Sequence, residues 1–217
     1  YTIAKFDAAG NMIAAATDSS VGIAFNSYYR PSTGGSSAEN VMVHGGNVWV
    51  AGSTGWTFED ATSRPTLWRY DQSLNLVARI KDASLTGTFI STATDGEDIY
   101  AVGHTNVHGV GGTENYLIQK FDGDGVRQWS YDFGGEGTHV LRDVVSVDGR
   151  LFATGYTNSE GAGGYDSVLM EFDAETGALL SKSLYGGTAD DKGMGISTDG
   201  DSLFIAGESK SFASAEG

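Results

Sequence analysis

The feature that most constrains this chain is a short segment that occurs four times. Each copy is a run of mostly apolar residues around an aromatic side chain, and it closes on a glycine. The closing glycines are Gly52, Gly103, Gly155 and Gly207, spaced 51 or 52 residues apart. A fixed period of this length predicts tandem copies of one supersecondary unit.

A second segment recurs with the same period. It reads Ile or Leu, two further residues, an aromatic residue and an aspartate, and it ends at Asp7, Asp71, Asp122 and Asp173. Only the first interval is longer, by about a dozen residues around positions 28–34. We therefore treat 1–217 as a single repeat domain. Its units cover approximately 8–52, 53–103, 104–155 and 156–207, with 1–7 and 208–217 at the two ends.

Each unit is predicted to hold four short strands joined by tight turns. The strand-end aspartate is followed by a Gly-containing turn, and in the second copy Asn75 falls near the glycine position. Asp-Gly at 95–96, 148–149 and 199–200, and Gly-Gly at 45–46, separate apolar runs in the manner of hairpin turns. No sustained apolar stripe has helical spacing. These features predict an all-β protein.

Four antiparallel strands per unit of about fifty residues match one blade of a β-propeller. The sequence thus predicts about four four-stranded blades, packed face to face so that both faces of each strand can be buried. Two arrangements remain open. The N-terminal strand could complete the last blade and close a small ring, or the chain could be part of a larger propeller. A chain that opens on a strand-like run without Met predicts a segment of a longer precursor.

The third and fourth copies carry a family resemblance. Residues 116–129 (YLIQKFDGDGVRQW), Gly134-Gly135 and residues 146–157 (SVDGRLFATGYT) resemble the bacterial SBBP-type β-propeller repeat. The resemblance implies a blade and not a reaction. It also implies a place in large secreted or cell-surface proteins.

Composition excludes several classes of partner. The formal net charge of −15 disfavours nucleic acid, which requires clustered Lys and Arg, and anionic membrane surfaces. The chain has no cysteine, so disulfides and thiol chemistry are excluded. No apolar run approaches the ~20 residues of a membrane span. We expect an acidic extracellular or cell-surface protein whose partners are proteins or carbohydrates, as a homo-oligomer or as part of a larger chain.

Calcium is the one cofactor that the sequence suggests. Its candidate ligands are Asp122, Asp124, Asp199 and Asp201. Oxygen-rich loops suit calcium, which takes six to eight oxygen ligands. The competing interpretation is that Asp and Gly occur here because they form turns.

Candidate ligand contacts come from two segments rich in aromatic residues. Tyr28, Tyr29 and Arg30 lie in the longer first interval, and Trp56 and Phe58 follow Gly52. Aromatic side chains beside Arg suit carbohydrate or protein contact. The competing interpretation is that they cap the core.

No catalytic residue is assigned. His104 and His108 lack a third zinc ligand, no nucleophile-elbow motif occurs, and residues 173–177 match a quinoprotein repeat in one copy only. We therefore expect a non-enzymatic extracellular scaffold or interaction module for adhesion or cell-surface assembly. The alternatives are a propeller enzyme, either a quinoprotein or a polysaccharide-acting hydrolase, and a self-assembling filament or surface-layer component.

Overall fold

A computed structural model describes residues 1–17, 35–56, 63–106 and 114–211. Within these ranges every regular element is a β-strand, and the named strands pair antiparallel. The chain divides into two compact units, Tyr1–Phe89 and Ile90–Gly217. The predicted all-β class, with four-stranded antiparallel sheets, is confirmed.

Sixteen strands are described. The first eight are β1 Thr2–Phe6, β2 Met12–Thr17, β3 Gly35–His44, β4 Asn47–Trp56, β5 Arg64–Tyr70, β6 Leu76–Lys81, β7 Gly87–Thr94 and β8 Ile99–Asn106. The others are β9 Glu114–Phe121, β10 Arg127–Phe133, β11 His139–Val147, β12 Arg150–Thr157, β13 Asp166–Asp173, β14 Leu179–Tyr185, β15 Asp191–Thr198 and β16 Leu203–Ser209. The described residues contain no helix that is long and apolar enough to cross a membrane.

The strands form three four-stranded sheets and two hairpins. The sheets are β3-β4-β5-β6, β7-β8-β9-β10 and β11-β12-β13-β14, each in chain order, and the hairpins are β1-β2 and β15-β16. In each sheet the segment closing on glycine forms the second strand, and the segment ending in aspartate forms the third. The sheets are thus offset by about half a repeat from the units defined on the sequence.

The second and third strands pair in the same register in all three sheets. Val48 lies opposite Tyr70, Ile99 opposite Phe121, and Leu151 opposite Phe172. One residue further along, the aromatic marker faces a charged residue in the pairs Trp49–Arg69, Tyr100–Lys120 and Phe152–Glu171. The repeat therefore specifies strand register as well as strand order.

A bulge explains the closing glycine. In the sheet β11-β12-β13-β14, the register shifts between Leu141, which faces Gly155, and Asp143. A Cβ at Gly155 would lie 1.9 Å from the carbonyl oxygen of Val140. Gly52 and Gly207 meet the preceding strand in the same way. The glycine recurs because only a hydrogen atom fits at this approach.

The turns follow the sequence signals with one correction. Asp148 and Gly149 both have positive φ, 49° and 72°, as a two-residue hairpin turn requires. In the turn after β5, however, Leu74 and not Asn75 takes the left-handed conformation, with φ of 63°. The Leu74 amide donates to the Asp71 carbonyl, as the Gly10 amide donates to the Asp7 carbonyl. The turn geometry therefore overrides the usual preference for Gly or Asn.

Each unit has a core formed between sheet faces. In the second unit, β11 contacts β8 and β9, while β15 contacts β11, β12 and β13. The buried cluster there is Tyr100, Val102, Tyr116, Ile118, Leu141, Val144, Leu151, Ala153, Val168, Met170, Phe172 and Ala174. In the first unit, Val50, Trp68 and Tyr70 pack against Tyr1 and Ile3 of the N-terminal hairpin.

Candidate functional site

The recurring aspartates close the turns that follow the third strands. The Oδ1 atom of Asp7 accepts hydrogen bonds from the backbone amides of Ala9 and Asn11, at 2.9 and 2.8 Å. The side chain of Asn11 and these amides hold the pKa of Asp7 below its ordinary value. Corresponding bonds are made by Asp71, Asp122 and Asp173. One turn-forming role per repeat accounts for the recurrence of this residue.

The calcium candidates lie in two separate turns. Asp122 and Asp124 occupy the β9–β10 turn, where the Oδ1 atom of Asp122 accepts the amide of Asp124 at 3.0 Å. Asp199 and Asp201 occupy the β15–β16 turn, where the Oδ1 atom of Asp199 accepts the amide of Asp201 at 3.1 Å. Among the described residues, no three His, Asp or Glu side chains are grouped so that they could hold a metal ion. Calcium at these turns stays a prediction.

Other carboxylates near the predicted calcium loops form ion pairs with a buried lysine. Lys120 is 5% exposed, and its Nζ atom lies 3.0 Å from Asp98 and 2.9 Å from Glu175. The Tyr100 hydroxyl donates to Asp95 at 2.7 Å. Asp95 and Asp98 therefore stabilise the side chains of β8 and β9, the second and third strands of their sheet.

The predicted ligand-contact residues lie mostly outside the described residues. Tyr28, Tyr29, Arg30 and Phe58 belong to segments 18–34 and 57–62, which the structure does not describe. The backbone of Trp56 ends β4 and lies opposite Gly35, the first residue of β3. Segment 18–34 leads into Gly35, and segment 57–62 leaves from Trp56. The described residues that border the two segments, Gly35 and Trp56, are therefore neighbours at one end of the sheet β3-β4-β5-β6.

A buried histidine cluster lies in the second unit and had no sequence signal. His139 is 1% exposed, its Nδ1 atom lies 3.0 Å from the Thr157 hydroxyl oxygen, and its Nε2 atom lies 3.3 Å from the Ser159 hydroxyl oxygen. The ring of Tyr116 lies 5.0 Å away, centre to centre. Burial lowers the pKa of His139, so the ring is held neutral. Neighbouring repeats carry different residues at this position, which is why periodicity did not reveal the cluster.

An open apolar groove lies in the first unit. It has a volume of about 630 Å³ and lies between β1 and the strands β3 and β4. Its lining includes residues 2–5 of β1, residues 38–41 and Val43 of β3, and Val48 and Val50 of β4. Val41 and Val43 are 60% and 69% exposed, which is unusual for valines on a sheet face that borders a core. We call this feature the β1–β3 groove.

In comparisons with known proteins, no protein-family model matches this chain and no curated protein matches it. The resemblance to the SBBP-type repeat therefore rests on the residue pattern alone.

Proposed function

We propose that this chain is a β-propeller repeat protein of the SBBP type and acts as a non-enzymatic extracellular interaction module, in adhesion or cell-surface assembly. Three complete sheets with one register, and face-to-face packing of consecutive sheets in the second unit, support the propeller architecture. The propeller is a small closed ring or a part of a larger one. The acidic composition and the absence of cysteine are compatible with an extracellular location.

The pairing of Gly35 with Trp56 carries the proposal of a binding surface. Gly35 directly follows segment 18–34 and Trp56 directly precedes segment 57–62, and these segments contain Tyr28, Tyr29 and Phe58. Loops presented by a rigid sheet are a common location for recognition. Aromatic rings provide stacking area for a sugar or a protein side chain. We therefore place the ligand-contact surface at this end of the sheet.

The repeated aspartates support a role without catalysis. Their oxygens accept hydrogen bonds from backbone amides in corresponding turns, so each copy has the same structural task. An active site normally needs different groups from different elements converging on one point. We therefore assign the recurring residues a structural role. Ligand specificity would then come from the segments that differ between repeats.

Binding to immobilised carbohydrates and cell-surface proteins tests the proposal. We expect a member of a panel of neutral glucans, mannans, chitin oligosaccharides and surface proteins to bind the intact chain. The combined substitution of Tyr28, Tyr29 and Arg30 by Ala should weaken this binding at least about tenfold, because hot-spot aromatic and Arg side chains contribute most to such contacts. The control is Tyr185→Ala, which removes a 54% exposed tyrosine from β14. Equal loss in both variants would contradict the assignment.

Calcium binding is the second proposal and has its own test. Adding calcium to chelator-treated protein should raise the melting temperature, because a ligand that binds only the folded state stabilises it. Asp124→Asn and Asp201→Asn should remove this rise if the two turns hold the ion. An unchanged melting temperature in the presence of calcium would end the calcium proposal.

One observation favours the hydrolase alternative. The exposed Ser159 hydroxyl lies 3.3 Å from the Nε2 atom of His139, which is a nucleophile–base arrangement. The other ring nitrogen, however, contacts the Thr157 hydroxyl and not a carboxylate. Hydrolysis of polysaccharide or ester substrates that disappears in Ser159→Ala would establish the enzyme and replace the interaction module.

A further inference from the structure

A lysine lies between two tyrosine rings at one end of the sheet β11-β12-β13-β14. The Lys192 ammonium, on β15, is 4.0 Å from the centre of the Tyr165 ring and 4.8 Å from the centre of the Tyr156 ring. The two rings meet edge to face, with centres 5.3 Å apart. Among the described residues, no group forms an ion pair or a hydrogen bond with this ammonium. Its three N–H donors are therefore available to an acceptor that the chain does not supply.

The repeat does not require these residues. The position of Tyr156 is occupied by Ser53 in β4 and by Glu208 in β16, and the position of Lys192 is occupied by Val140 in β11. Residues of unrelated chemistry thus serve the same strand pairing in other copies. Because architecture does not explain the lysine and the two rings, they are candidates for recognition.

A second cation without a partner lies on the neighbouring strand β11. The register shift between Leu141 and Asp143 makes Arg142 the extra residue of a bulge, and bulges re-aim side chains next to functional sites. The Nε atom of Arg142 is buried and has no hydrogen-bond partner among the described residues. A buried donor of this kind is rare in native proteins. It indicates that the acceptor comes from outside the chain.

Arg142 and Lys192 act on the same tyrosine. Burial raises the pKa of Tyr156 and the positive charge of Arg142 opposes this effect, so the guanidinium lies near the phenol hydroxyl. The Lys192 ammonium lies against the ring of the same residue. Strand β15, which carries Lys192, packs against β11, β12 and β13. The two cations therefore flank Tyr156 where these strands meet.

Backbone hydrogen bonds fix the other tyrosine beside β15. The Tyr165 amide donates to the Oδ1 atom of Asp190 at 3.2 Å, and the Asp191 amide donates to the Tyr165 carbonyl at 2.6 Å. The Oδ2 atom of Asp190 lies 2.7 Å from the Lys210 ammonium, so this carboxylate already has a cation of its own. The Tyr165 ring and Lys192 are thus held together by rigid backbone.

The charges around the two cations limit the ligand to a single negative group. Glu114 and Glu208 raise the pKa of Tyr156 and so lie near it. Together with the net charge of −15 they would repel a polyanion. One carboxylate can accept charge-assisted hydrogen bonds from a guanidinium and an ammonium. Tyrosine rings beside it offer faces for the C–H groups of a sugar and hydroxyls for its polar groups.

We propose that Arg142 and Lys192 bind the carboxylate of an acidic sugar at the end of an otherwise neutral glycan, with Tyr156 and Tyr165 against the sugar ring. The inference rests on the proposed function in taking the ligand to be a carbohydrate, and it names the class of sugar. The site lies within the second unit and contains no residue of segments 18–34 and 57–62.

Calorimetry with a matched pair of ligands tests the proposal. The intact chain is titrated with two trisaccharides of glucose, one that ends in glucuronic acid and one that is neutral. We expect the acidic trisaccharide to bind at least about tenfold more tightly, because hydrogen bonds to a charged group are roughly twice as strong as neutral ones. Added salt should weaken the binding of the acidic trisaccharide only. Equal affinities would overturn the proposal.

Substitution of each cation tests the assignment of the site. Arg142→Met and Lys192→Met keep apolar stems and should each reduce the preference for the acidic trisaccharide at least about fivefold. Lys81→Met is the matched control, because it removes an exposed cation of β6 in the first unit. An equal loss in the control, or no loss in the two site variants, would contradict the assignment. The triple variant in segment 18–34 should keep the preference, so failure of that binding surface and failure of this site are distinguishable.

Chemical-shift mapping on the wild-type chain gives an answer without any substitution. The acidic trisaccharide should shift the signals of Tyr156, Tyr165 and Lys192 at lower concentration than the neutral one. Sodium sulfate that shifts the same signals with the same affinity would show an adventitious ion only. A triglutamate peptide that binds more tightly than the acidic trisaccharide would assign the site to an acidic protein segment. Either result would overturn the proposal.

Discussion

The carboxylate of Asp143 accepts a hydrogen bond from the hydroxyl group of Ser91 at 2.6 Å. The two residues occupy the same position in consecutive repeats, each eight residues before the first buried apolar residue of the next strand, Ile99 or Leu151. The other oxygen of Asp143 accepts the backbone amide of Ile196 in β15 at 2.9 Å. One carboxylate therefore joins the first strands of three consecutive groups of strands, β7, β11 and β15.

Removal of this carboxylate should destabilise the fold. Asp143→Ala leaves the Ser91 hydroxyl and the Ile196 amide without their acceptor, and each lost partner in a partly buried site costs about 1–3 kcal/mol. Asp143→Asn can still accept from the Ile196 amide and donate to the Ser91 hydroxyl oxygen, so we expect a smaller loss. Urea unfolding measures both variants against Asp132→Ala, which changes an exposed residue of β10. Equal stability of the Ala variant and the control would contradict the linking role of Asp143.

The closing glycine of the repeat should tolerate no side chain. In Gly155→Ala the new methyl group would collide with the carbonyl of Val140 and the Cα atom of Leu141, at 1.9 and 2.9 Å. We expect a loss of at least about 2 kcal/mol in the free energy of unfolding, since backbone has to move. Gly135→Ala is the matched control, because a Cβ there meets no atom within 4 Å. Comparable melting temperatures for the two variants would refute the explanation of the bulge.

The strands and the hairpin turns between them could be predicted from the sequence because the signals that set them are local and repeated. Gly149 marks a hairpin turn and Asp122 marks the end of a strand, whereas the bulge opposite Gly155 is visible only in the structure. The phase of the sheets could not be predicted in this way. Turns of similar composition join every pair of consecutive strands, so a period of about fifty residues does not reveal which strand begins a sheet.

Contacts that differ between repeats also escaped prediction. His139 has no histidine at the corresponding positions, and it contacts Thr157, its cross-strand partner in the same sheet, and Ser159, two residues beyond the end of that strand. Ser91 and Asp143 were likewise not singled out, because their pairing is visible only after consecutive sheets are placed face to face. The repeat pattern predicts only the contacts that all repeats share, and the contacts of His139, Ser91 and Asp143 are not among them.

His139 should make stability depend on pH. Burial lowers the pKa of His139 in the folded protein, whereas the unfolded chain keeps the ordinary value near 6.5. Between these values the unfolded state binds more protons, so stability is present above pH 6.5 and is lost as pH falls below it. The slope from one such group is at most about 1.4 kcal/mol per pH unit.

The pH dependence of wild-type stability is compared with that of the variant His139→Gln. Urea unfolding from pH 5 to 8 should show that this variant lacks the part of the slope that begins near pH 6.5. Lys182 and Glu160 lie near the ring and have opposing effects on its charge, so neither is changed in this experiment. An identical pH dependence in wild type and variant would show that His139 does not titrate as proposed.

The buried lysine should contribute more than an exposed one. Lys120→Met keeps the apolar stem but removes the ammonium group from between Asp98 and Glu175, and breaking a buried pair leaves a carboxylate without its cation. We expect a loss of about 1–3 kcal/mol because Glu175 is itself exposed, which moderates the cost. Lys210→Met, which removes an exposed partner of Asp190, should change stability much less than Lys120→Met does. Similar losses of stability in Lys120→Met and Lys210→Met would contradict the larger contribution of the buried lysine.

Amide hydrogen exchange across the chain tests most directly the claim that the fifty-residue repeat is a four-stranded sheet unit. We expect the paired second and third strands, β4–β5, β8–β9 and β12–β13, to exchange most slowly, so that protection recurs every 51 or 52 residues. Protection that does not follow the repeat, or that is weakest in these central strands, would contradict this claim.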